Sequence, residues 1–336
     1  MPRSRRHHYL PQFHQRLFGA GLDGARIWVY DKHSDEIFMR QIKDTAVIGN
    51  YYTITTEQGP DDALEKLFAR IEGAAAPVMR DLCDETGPRF AVDVASRMAL
   101  ATYLALLYGR VPSHRLAARE MLEFGASVML DMNLSRSEGF AERARAAGMD
   151  GTDEELEAAR IELLEGLRAK KFAVRAPEES TLGTVVDMMR AVTPYITATG
   201  WWLLKRSTFP HYIVGDDPVT VWPARNHPEF LGVGFATHDA EVSVPLNSET
   251  MLVMGHNVPD GYVWEEESIP GVRIWLPSWP YHYRQWSKAR RFVFGQSRAD
   301  LQAIQFTLMP EERQRPGGGL VMRGGPAEWQ AYGPGA

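Results

Sequence analysis

The sequence predicts an α+β protein, in which N- and C-terminal strands form one mixed or antiparallel sheet beside a block of about five helices. Strand-like segments occupy residues 7–57 and 200–296, and helical periodicity dominates residues 60–199. Strands and helices do not alternate along the chain, which argues against a doubly wound parallel sheet. We therefore expect one domain over residues 1–309, followed by a tail rich in glycine and proline at 310–336.

The N-terminal strands are predicted from short runs of aromatic and β-branched residues. ARIWVYD (25–31) and EIFMRQI (36–42) flank a polar turn, which is typical of a hairpin. YYTITT (51–56) has the same composition and predicts another strand.

The helices are predicted from apolar side chains that recur every 3.6 residues. The first helix starts near Gly59 and Pro60, and Ser113 is a candidate N-cap for the third. The spacing of Thr152 and Glu155 predicts a capping box on the fourth. The later helices are expected at residues 88–109, 114–131, 152–170 and 180–198. Met121, Met129 and Met132 are expected to fill a core.

The C-terminal part returns to short apolar segments separated by proline, aspartate, asparagine and glycine. WWLLKRS, HYIVG, VTVWP, FLGVGFA, AEVSVPL and TMLVMGH are predicted strands. HYRQWSKARR is predicted as a short helix that leads into a last strand, FVFGQ.

Charge is distributed unevenly along a chain whose net charge is −6. Residues 1–16 carry four arginines and no acidic residue, which favours an anionic ligand over a general nucleic-acid coating. The alternative is that these arginines only keep a chain terminus soluble.

Composition also restricts the cofactors and the compartment. The single cysteine, Cys83, excludes an intramolecular disulfide and a multi-cysteine zinc site. No apolar run is long enough to cross a membrane, and no apolar segment follows the N-terminal arginines as in a secretory signal. We expect a cytoplasmic protein with no membrane partner.

The strongest chemical signal is the opening RRHHYLPQFHQRLF. Three of the ten histidines lie in the first fourteen residues, and histidine titrates near neutral pH. In an extended strand, His7 and His8 point to opposite faces, so only one of them can face a given pocket. The alternative is that both are structural and bond buried backbone groups.

Two further groups of carboxylates could take part in chemistry. Asp216 and Asp217 follow a predicted strand, where they could act as a base or bind a hard cation, although Gly-Asp-Asp-Pro is also an ordinary turn. Glu65 and Glu72 lie seven residues apart on one helix face and could point into a polar cavity or simply into solvent. Nucleotide-binding, zinc-protease and serine-hydrolase motifs are absent from the sequence.

The ordered set HHYLPQF, RIWVYDK, NYYT, ALEKLFARIE, GRVPSHR, GDDPV and ARRFVF resembles a large bacterial family of unknown function recognised by an HHY opening. The resemblance covers most of residues 6–295. It places family positions at His7, His8, Tyr9, Gln12, Phe13, Tyr30, Lys32, Asn50, Tyr52, Glu65, Glu72, Arg110, Pro112, Asp216, Pro218, Asn257, Arg291 and Phe292. The family's late motif reads Ser-Asp-Asn-Pro, so Gly215 and Asp217 depart from it.

Together these residues suggest one cavity where the sheet meets the helices, and a nuclease-like hydrolase of a phosphodiester or another anionic substrate, with a small anion or a nucleic acid as its partner. In this hypothesis His7 or His8 is the general base, and Asp216 orients it. Lys32 and Arg110 hold the anion, and Tyr9, Gln12, Asn50 and Tyr52 bind the substrate. A divalent cation would be held by Asp216, Asp217, Glu65 or Glu72.

Two other classes of function stay open at this point. One is a binding, sensor or immunity-type protein that captures a small anion without turnover, and the other is a transferase or hydrolase of a specialised pathway. The oligomeric state is not predicted.

Overall fold

The structure is a computed structural model that describes residues 6–21, 24–56, 59–177, 179–223, 232–265 and 279–317. Its helices are α1 (Gln12–Arg16), α2 (Ala63–Asp84), α3 (Val94–Arg110), α4 (Pro112–Leu134), α5 (Phe140–Ala146), α6 (Asp153–Arg168), α7 (Ser180–Ala198), α8 (Trp279–Lys288), α9 (Arg298–Thr307) and α10 (Pro310–Gln314). Its strands are β1 (Arg6–His8), β2 (Arg26–Asp31), β3 (Glu36–Gln41), β4 (Val47–Gly49), β5 (Ile54–Thr56), β6 (Gly59–Asp61), β7 (Gly200–Lys205), β8 (Val214–Gly215), β9 (Thr220–Trp222), β10 (Glu241–Pro245), β11 (Thr250–Gly255), β12 (Tyr262–Glu265) and β13 (Phe292–Gly295).

The predicted α+β class is confirmed, and strands from both ends of the chain share a sheet. This four-stranded sheet has the order β3-β2-β13-β8, with β13 antiparallel to both of its neighbours. The remaining C-terminal strands form a second, mixed sheet of order β12-β7-β11-β10-β9, so the strands divide between two main sheets. β1 pairs with β4, and β5 pairs with β6, in two separate two-stranded ribbons.

The helix α3 lies at the centre of the core, as its apolar composition predicts. Its residues 100, 101 and 103–107 are fully buried, and α3 packs against α2 and α7. It begins at Val94, later than expected, because the Asp93 side chain accepts hydrogen bonds from the amides of Ala95 and Ser96 and so caps the helix there.

The capping box of α6 is present as predicted, but two other boundaries differ. Ser113 does not cap α4, because its hydroxyl bonds the Asp217 side chain instead. Residues 59–61 form β6, so α2 begins only at Ala63. Within the predicted tail, α10 is helical, and residues 318–336 lie outside the described part of the chain.

Met121, Met129 and Met132 were expected to fill a core, but they lie exposed on the surface of α4. The buried side of this helix, which includes Leu134, packs against α6 and α7.

The segment after β1 is fixed to the core by a buried histidine. His14 Nε2 lies 2.8 Å from the carbonyl oxygen of Pro245, and Nδ1 lies 2.9 Å from the hydroxyl of Tyr103. Because a carbonyl oxygen only accepts, Nε2 carries the proton and Nδ1 accepts from the tyrosine. This histidine ties α1 to α3 and β10, which holds the start of the chain against the helices. No helix among the described residues is long and apolar enough to cross a membrane.

Candidate functional site

The N-terminal segment, α2 and the end of α3 enclose a cavity of about 430 Å³. This volume is typical of sites for small molecules. The lining residues are Arg6, His7, His8, Pro11, Gln12, Phe13, Lys43, Tyr52, Glu65, Phe68, Ala69, Glu72 and Arg110. The cavity therefore brings together seven of the residues to which the sequence-based hypothesis gave a role in the site: His7, His8, Gln12, Tyr52, Glu65, Glu72 and Arg110.

His7 is fully buried, and both of its ring nitrogens are engaged. Nδ1 accepts a 2.7 Å hydrogen bond from the backbone amide of Tyr52, and Nε2 lies 3.3 Å from Glu65 Oε2. An amide can only donate, so the imidazole proton sits on Nε2 and points at the carboxylate. His7 thus orients Glu65 and has no free lone pair with which to accept a proton.

Unlike His7, His8 has a ring nitrogen that is not engaged. Within the described residues, its Nε2 atom is buried without a hydrogen-bond partner. Burial lowers the pKa of His8 below 6.5, while hydrogen bonds to the backbone of Lys43 and Ile42 oppose this shift. Because Nε2 is the unpartnered nitrogen, these bonds assign the proton to Nδ1. At neutral pH, His8 is therefore a neutral imidazole with an available lone pair on Nε2.

Tyr52, another residue that lines the cavity, also carries an unpartnered polar atom. Its side chain is almost completely buried, and its hydroxyl lacks a hydrogen-bond partner in the described part of the protein. Its ring stacks on His7 with 5.3 Å between centroids and meets the Phe68 ring edge-on at 5.0 Å. Burial raises the pKa of Tyr52 far above its ordinary value, so the hydroxyl stays protonated and can donate.

Arg110 has a structural role, because its guanidinium group donates hydrogen bonds to other groups of the protein. Nε and Nη2 donate to the backbone oxygens of Tyr9 and His8, and Nη1 donates to Glu72 Oε1 at 2.7 Å. The side chain is 1% exposed and fixes the shape of the cavity floor. Glu72 keeps about a quarter of its side chain exposed and balances the buried charge.

The exposed cations of the cavity are Arg6 and Lys43. Arg6 Nη2 lies 2.6 Å from Asp44 Oδ1 and also donates to the backbone oxygen of Lys43. Both reach this place because β1 pairs with β4, which brings the turn at residues 42–44 beside the first strand. Arg6 was predicted only as part of a basic patch, and Lys43 was not predicted to belong to the site, because no local pattern predicts the pairing of β1 with β4.

Lys32, predicted to hold the anion in the catalytic site, is fully buried and does not line the cavity. Its ammonium group donates to the backbone oxygens of Trp286, Ala289 and Arg315, which uses all three of its protons. Burial lowers its pKa to about 8. Lys32 therefore holds the end of α8 against β2.

The hypothesis required Asp216 to orient a histidine of the cavity, and the structure shows that it does not. Its carboxylate accepts hydrogen bonds from three consecutive backbone amides, those of residues 290–292. Burial raises its pKa to about 6, and these amide bonds act against the shift. The carboxylate beside His7 is Glu65, and Asp216 instead fixes the loop before β13.

Two predicted substrate-binding residues also lie outside the lining of the cavity. Tyr9 is buried in the core and contributes its backbone oxygen to Arg110. Asn50 is exposed and has φ 53°, the left-handed conformation that asparagine tolerates in a tight turn.

Asp217 belongs to a separate buried cluster at the start of α4. Its Oδ2 atom accepts from Ser113 Oγ at 2.7 Å and lies 3.5 Å from His114 Nε2 and 3.6 Å from Lys288 Nζ. Burial lowers the pKa of His114 to about 4, while Asp217 opposes and Lys288 adds to the shift. Over the described ranges, Asp217 Oδ1 has no hydrogen-bond partner.

The four carboxylates predicted to share a cation are divided between two places. Glu65 and Glu72 line the cavity, whereas Asp216 and Asp217 lie outside it. Among the residues that the structure describes, no three histidine, cysteine, aspartate or glutamate side chains are grouped so that they could hold a metal ion.

Comparison with known proteins identifies the family of the chain but does not indicate a reaction. Residues 6–263 match the family described as "Protein of unknown function (DUF4238)". No curated protein and no solved structure matches the chain. The match spans β1 to β12, including every element that lines the cavity, and the chain belongs to this family of unknown function.

Proposed function

We propose that the cavity binds a small anionic substrate and that the protein hydrolyses it, with a phosphodiester as the favoured bond. The observation that carries this proposal is the pair of buried, unpartnered polar atoms, His8 Nε2 and Tyr52 Oη, on two residues that line one cavity. Leaving such atoms unpaired costs about 1–3 kcal/mol each. A buried polar atom without a partner calls for an explanation, such as an ordered water molecule, an ion or a catalytic role, and the cavity that both residues line favours a ligand here.

The two atoms offer complementary chemistry. His8 Nε2 can accept a proton from a water molecule, and the resulting hydroxide attacks phosphorus. The bond to the leaving oxygen then breaks, and the Tyr52 hydroxyl donates a hydrogen bond to the negative charge that develops. The leaving oxygen takes a proton from water, and protonated His8 releases its proton to solvent. His8 takes the role of base, and not His7, because both nitrogens of His7 are already engaged.

The charges of the cavity suit an anionic group. Arg6 and Lys43 are exposed cations in the lining, whereas Lys32 and Arg110 donate within the protein. Glu65, held by His7, is available to accept a hydrogen bond from a sugar hydroxyl or a base amino group of the substrate. A cavity of about 430 Å³ has room for a nucleotide-sized molecule, so a single nucleotide of a longer nucleic acid is the largest unit that we expect inside it.

The test compares two matched pairs of variants. His8→Gln and Tyr52→Phe remove the proposed base and donor, while His33→Gln and Tyr262→Phe make the same changes outside the cavity. Turnover is measured with bis-p-nitrophenyl phosphate, p-nitrophenyl phosphate, nucleotides and short RNA and DNA, each with added Mg²⁺ and with EDTA. We expect the His8 change to lower kcat by about 10²-fold, with the controls unaffected.

The pH profile gives a second readout. Because burial lowers the pKa of His8, the base stays neutral at pH 6.5, and the rate should fall only at more acidic pH. Full activity in both cavity variants on every substrate that is turned over would refute the assignment.

A second function, capture of an anion without turnover, is favoured by the internal bonding of His7 and Arg110. These two residues are fixed before any ligand binds, as in a preorganised binding site. Thermal stabilisation by phosphate or nucleotides that is lost in Tyr52→Phe, without hydrolysis, would support capture. A protein that neither turns over nor is stabilised by any of these compounds has neither function.

A further inference from the structure

The carboxylate of Glu65 is held in the cavity by the protein itself. Its Oε2 atom lies 3.3 Å from Nε2 of His7, and the Glu65 side chain is 33% exposed. His7 is fixed in turn, because its Nδ1 atom accepts from the Tyr52 amide and its ring stacks on the Tyr52 ring. Glu65 therefore offers a ligand an acceptor whose position is set before the ligand binds.

The negative charge of Glu65 is not balanced by a cation in contact with it. Within the described residues, Glu65 makes no ion pair with a lysine or an arginine. His7 is neutral, since its Nδ1 atom accepts from an amide and only Nε2 carries a proton. The other carboxylate of the lining, Glu72, contacts the guanidinium of Arg110 at 2.7 Å. A ligand group that contacts Glu65 must then be a hydrogen-bond donor, because a carboxylate only accepts and repels a phosphate.

The groups that suit an anion come from other elements of the cavity. Arg6 belongs to β1, and Lys43 belongs to the turn at residues 42–44. Gln12 of α1 adds a neutral donor, because its Oε1 atom accepts from Nη2 of Arg16 at 3.2 Å and its NH₂ group is left for a ligand. Donors on the N-terminal segment and a carboxylate on α2 fit a substrate that carries both an anionic group and a separate hydrogen-bond donor.

The acceptor on Glu65 lies close to the proposed reaction centre. Tyr52, whose hydroxyl stabilises the developing charge in the proposed reaction, stacks on the same His7 ring that holds Glu65. In a nucleotide, the ribose 2′-hydroxyl is on the carbon next to the one that bears the 3′-phosphate, whereas exocyclic amino groups lie at the far edge of the base. The short path from Tyr52 through His7 to Glu65 therefore favours the ribose hydroxyl over a base amino group.

A carboxylate is well suited to this recognition. Acidic side chains bind ribose hydroxyls in dinucleotide-binding folds, and the 2′-hydroxyl is the group by which a protein distinguishes RNA from DNA at a given site. A site that bonds a substrate hydroxyl discriminates against the analogue that lacks it, because its acceptor is then left without a partner. Glu65 is partly exposed, so water offsets part of that loss and a preference of about 10- to 100-fold is expected.

We propose that Glu65 selects ribonucleotides over 2′-deoxyribonucleotides by accepting a hydrogen bond from the 2′-hydroxyl beside the phosphate, with His7 holding the carboxylate in place. The substrate class is thus a ribonucleotide phosphodiester. This inference rests on the proposed function, which puts the phosphorus atom next to His8 and Tyr52.

The first experiment measures the dissociation constants of uridine 3′-monophosphate and 2′-deoxyuridine 3′-monophosphate by titration calorimetry. We expect the ribonucleotide to bind about 10- to 100-fold more tightly to the wild-type chain. Glu65→Ala should bring the two dissociation constants to within about threefold of each other, since the acceptor is gone. Glu162→Ala, at an exposed glutamate of α6, should keep the full preference.

The second experiment uses the wild-type chain alone, so it does not depend on the folding of a variant. 2′-Fluoro-2′-deoxyuridine 3′-monophosphate keeps the sugar conformation of a ribonucleotide but has no 2′ proton to donate. We expect it to bind as weakly as the deoxynucleotide. Binding as tight as that of the ribonucleotide would mean that sugar shape carries the preference, and would overturn the proposal.

Three other results would overturn the selection by Glu65. These are equal binding of the ribonucleotide and the deoxynucleotide, a preference that persists in Glu65→Ala, and no binding of any of the three nucleotides. The proposed hydrolysis is judged separately, by turnover of diesters that depends on His8. A ribose preference in a protein that hydrolyses no diester would support the Glu65 contact and contradict the hydrolysis.

Discussion

The backbone amide of Tyr52 donates a 2.7 Å hydrogen bond to Nδ1 of His7. This bond joins the first strand to the loop after β4 and selects the imidazole tautomer whose Nε2 proton faces Glu65. His7 is a positioning residue as a result, and His8 is left as the base of the proposed reaction.

Replacing His7 with leucine should lower the free energy of unfolding by about 1–3 kcal/mol, because the buried amide of Tyr52 loses its acceptor. His7→Asn places an amide oxygen near the position of Nδ1, so its free energy of unfolding should fall by clearly less than that of the leucine variant. Urea denaturation at pH 7.5 measures both. Equal losses in the two variants would show that the amide bond contributes little.

The adjacent residues Asp216 and Asp217 should respond differently to the same substitution. Asp216→Asn turns an amide NH₂ toward backbone N–H groups that need an acceptor, and should cost about 3 kcal/mol. Asp217→Asn can keep its bond from Ser113 and loses only the 3.6 Å charge contact with Lys288, whose side chain is partly exposed, so a smaller loss of about 1 kcal/mol is expected. Urea denaturation of both variants tests this contrast, and comparable losses would contradict it.

Lys32→Met should destabilise the protein by about 3 kcal/mol, since three carbonyl oxygens lose a shared donor. Lys171→Met, at an exposed lysine, serves as the control and should have little effect. Thermal unfolding measures the loss. Unchanged stability, combined with loss of a measured enzymatic activity, would return Lys32 to the catalytic role that the sequence suggested.

Acid should destabilise the fold because buried histidines stay neutral in it. Burial lowers the pKa of His14 and His114 to about 4 and that of His282 to about 3. Below pH 6.5 the unfolded chain therefore binds more protons than the folded one, and stability falls as the pH drops. Asp216, with its pKa raised to about 6, acts in the opposite direction as the pH falls through 6.

The three histidines together outweigh Asp216. We therefore expect the free energy of unfolding to fall by about 4 kcal/mol between pH 7.5 and pH 5. His282→Leu should reduce this loss by about 2 kcal/mol. It should not weaken the fold at pH 7.5, because neither ring nitrogen of His282 has a partner in the described chain. Urea denaturation at the two pH values measures both effects, and an unchanged pH dependence in the variant would contradict the assignment to His282.

Local patterns were enough to predict the fold class and most helices. The helical spacing of apolar residues predicted both ends of α7 and the end of α3 to within one residue, although α3 begins six residues later than predicted. Thr152 with Glu155 predicted the capping box of α6. Clustered histidines and the shared face of Glu65 and Glu72 indicated residues that do line one cavity. These features depend on neighbours within a few residues in sequence, which is why they can be recognised there.

The sequence by itself determined an α+β chain and the chemical types of the residues around the cavity. Only the tertiary structure decided which of them are free to act. Long-range pairing placed Lys43 beside β1, used the donors of Lys32 and Arg110 internally, and bound Asp216 to a loop 74 residues away. A polar side chain's availability depends on which hydrogen bonds folding already satisfies, and these partners come from distant parts of the chain.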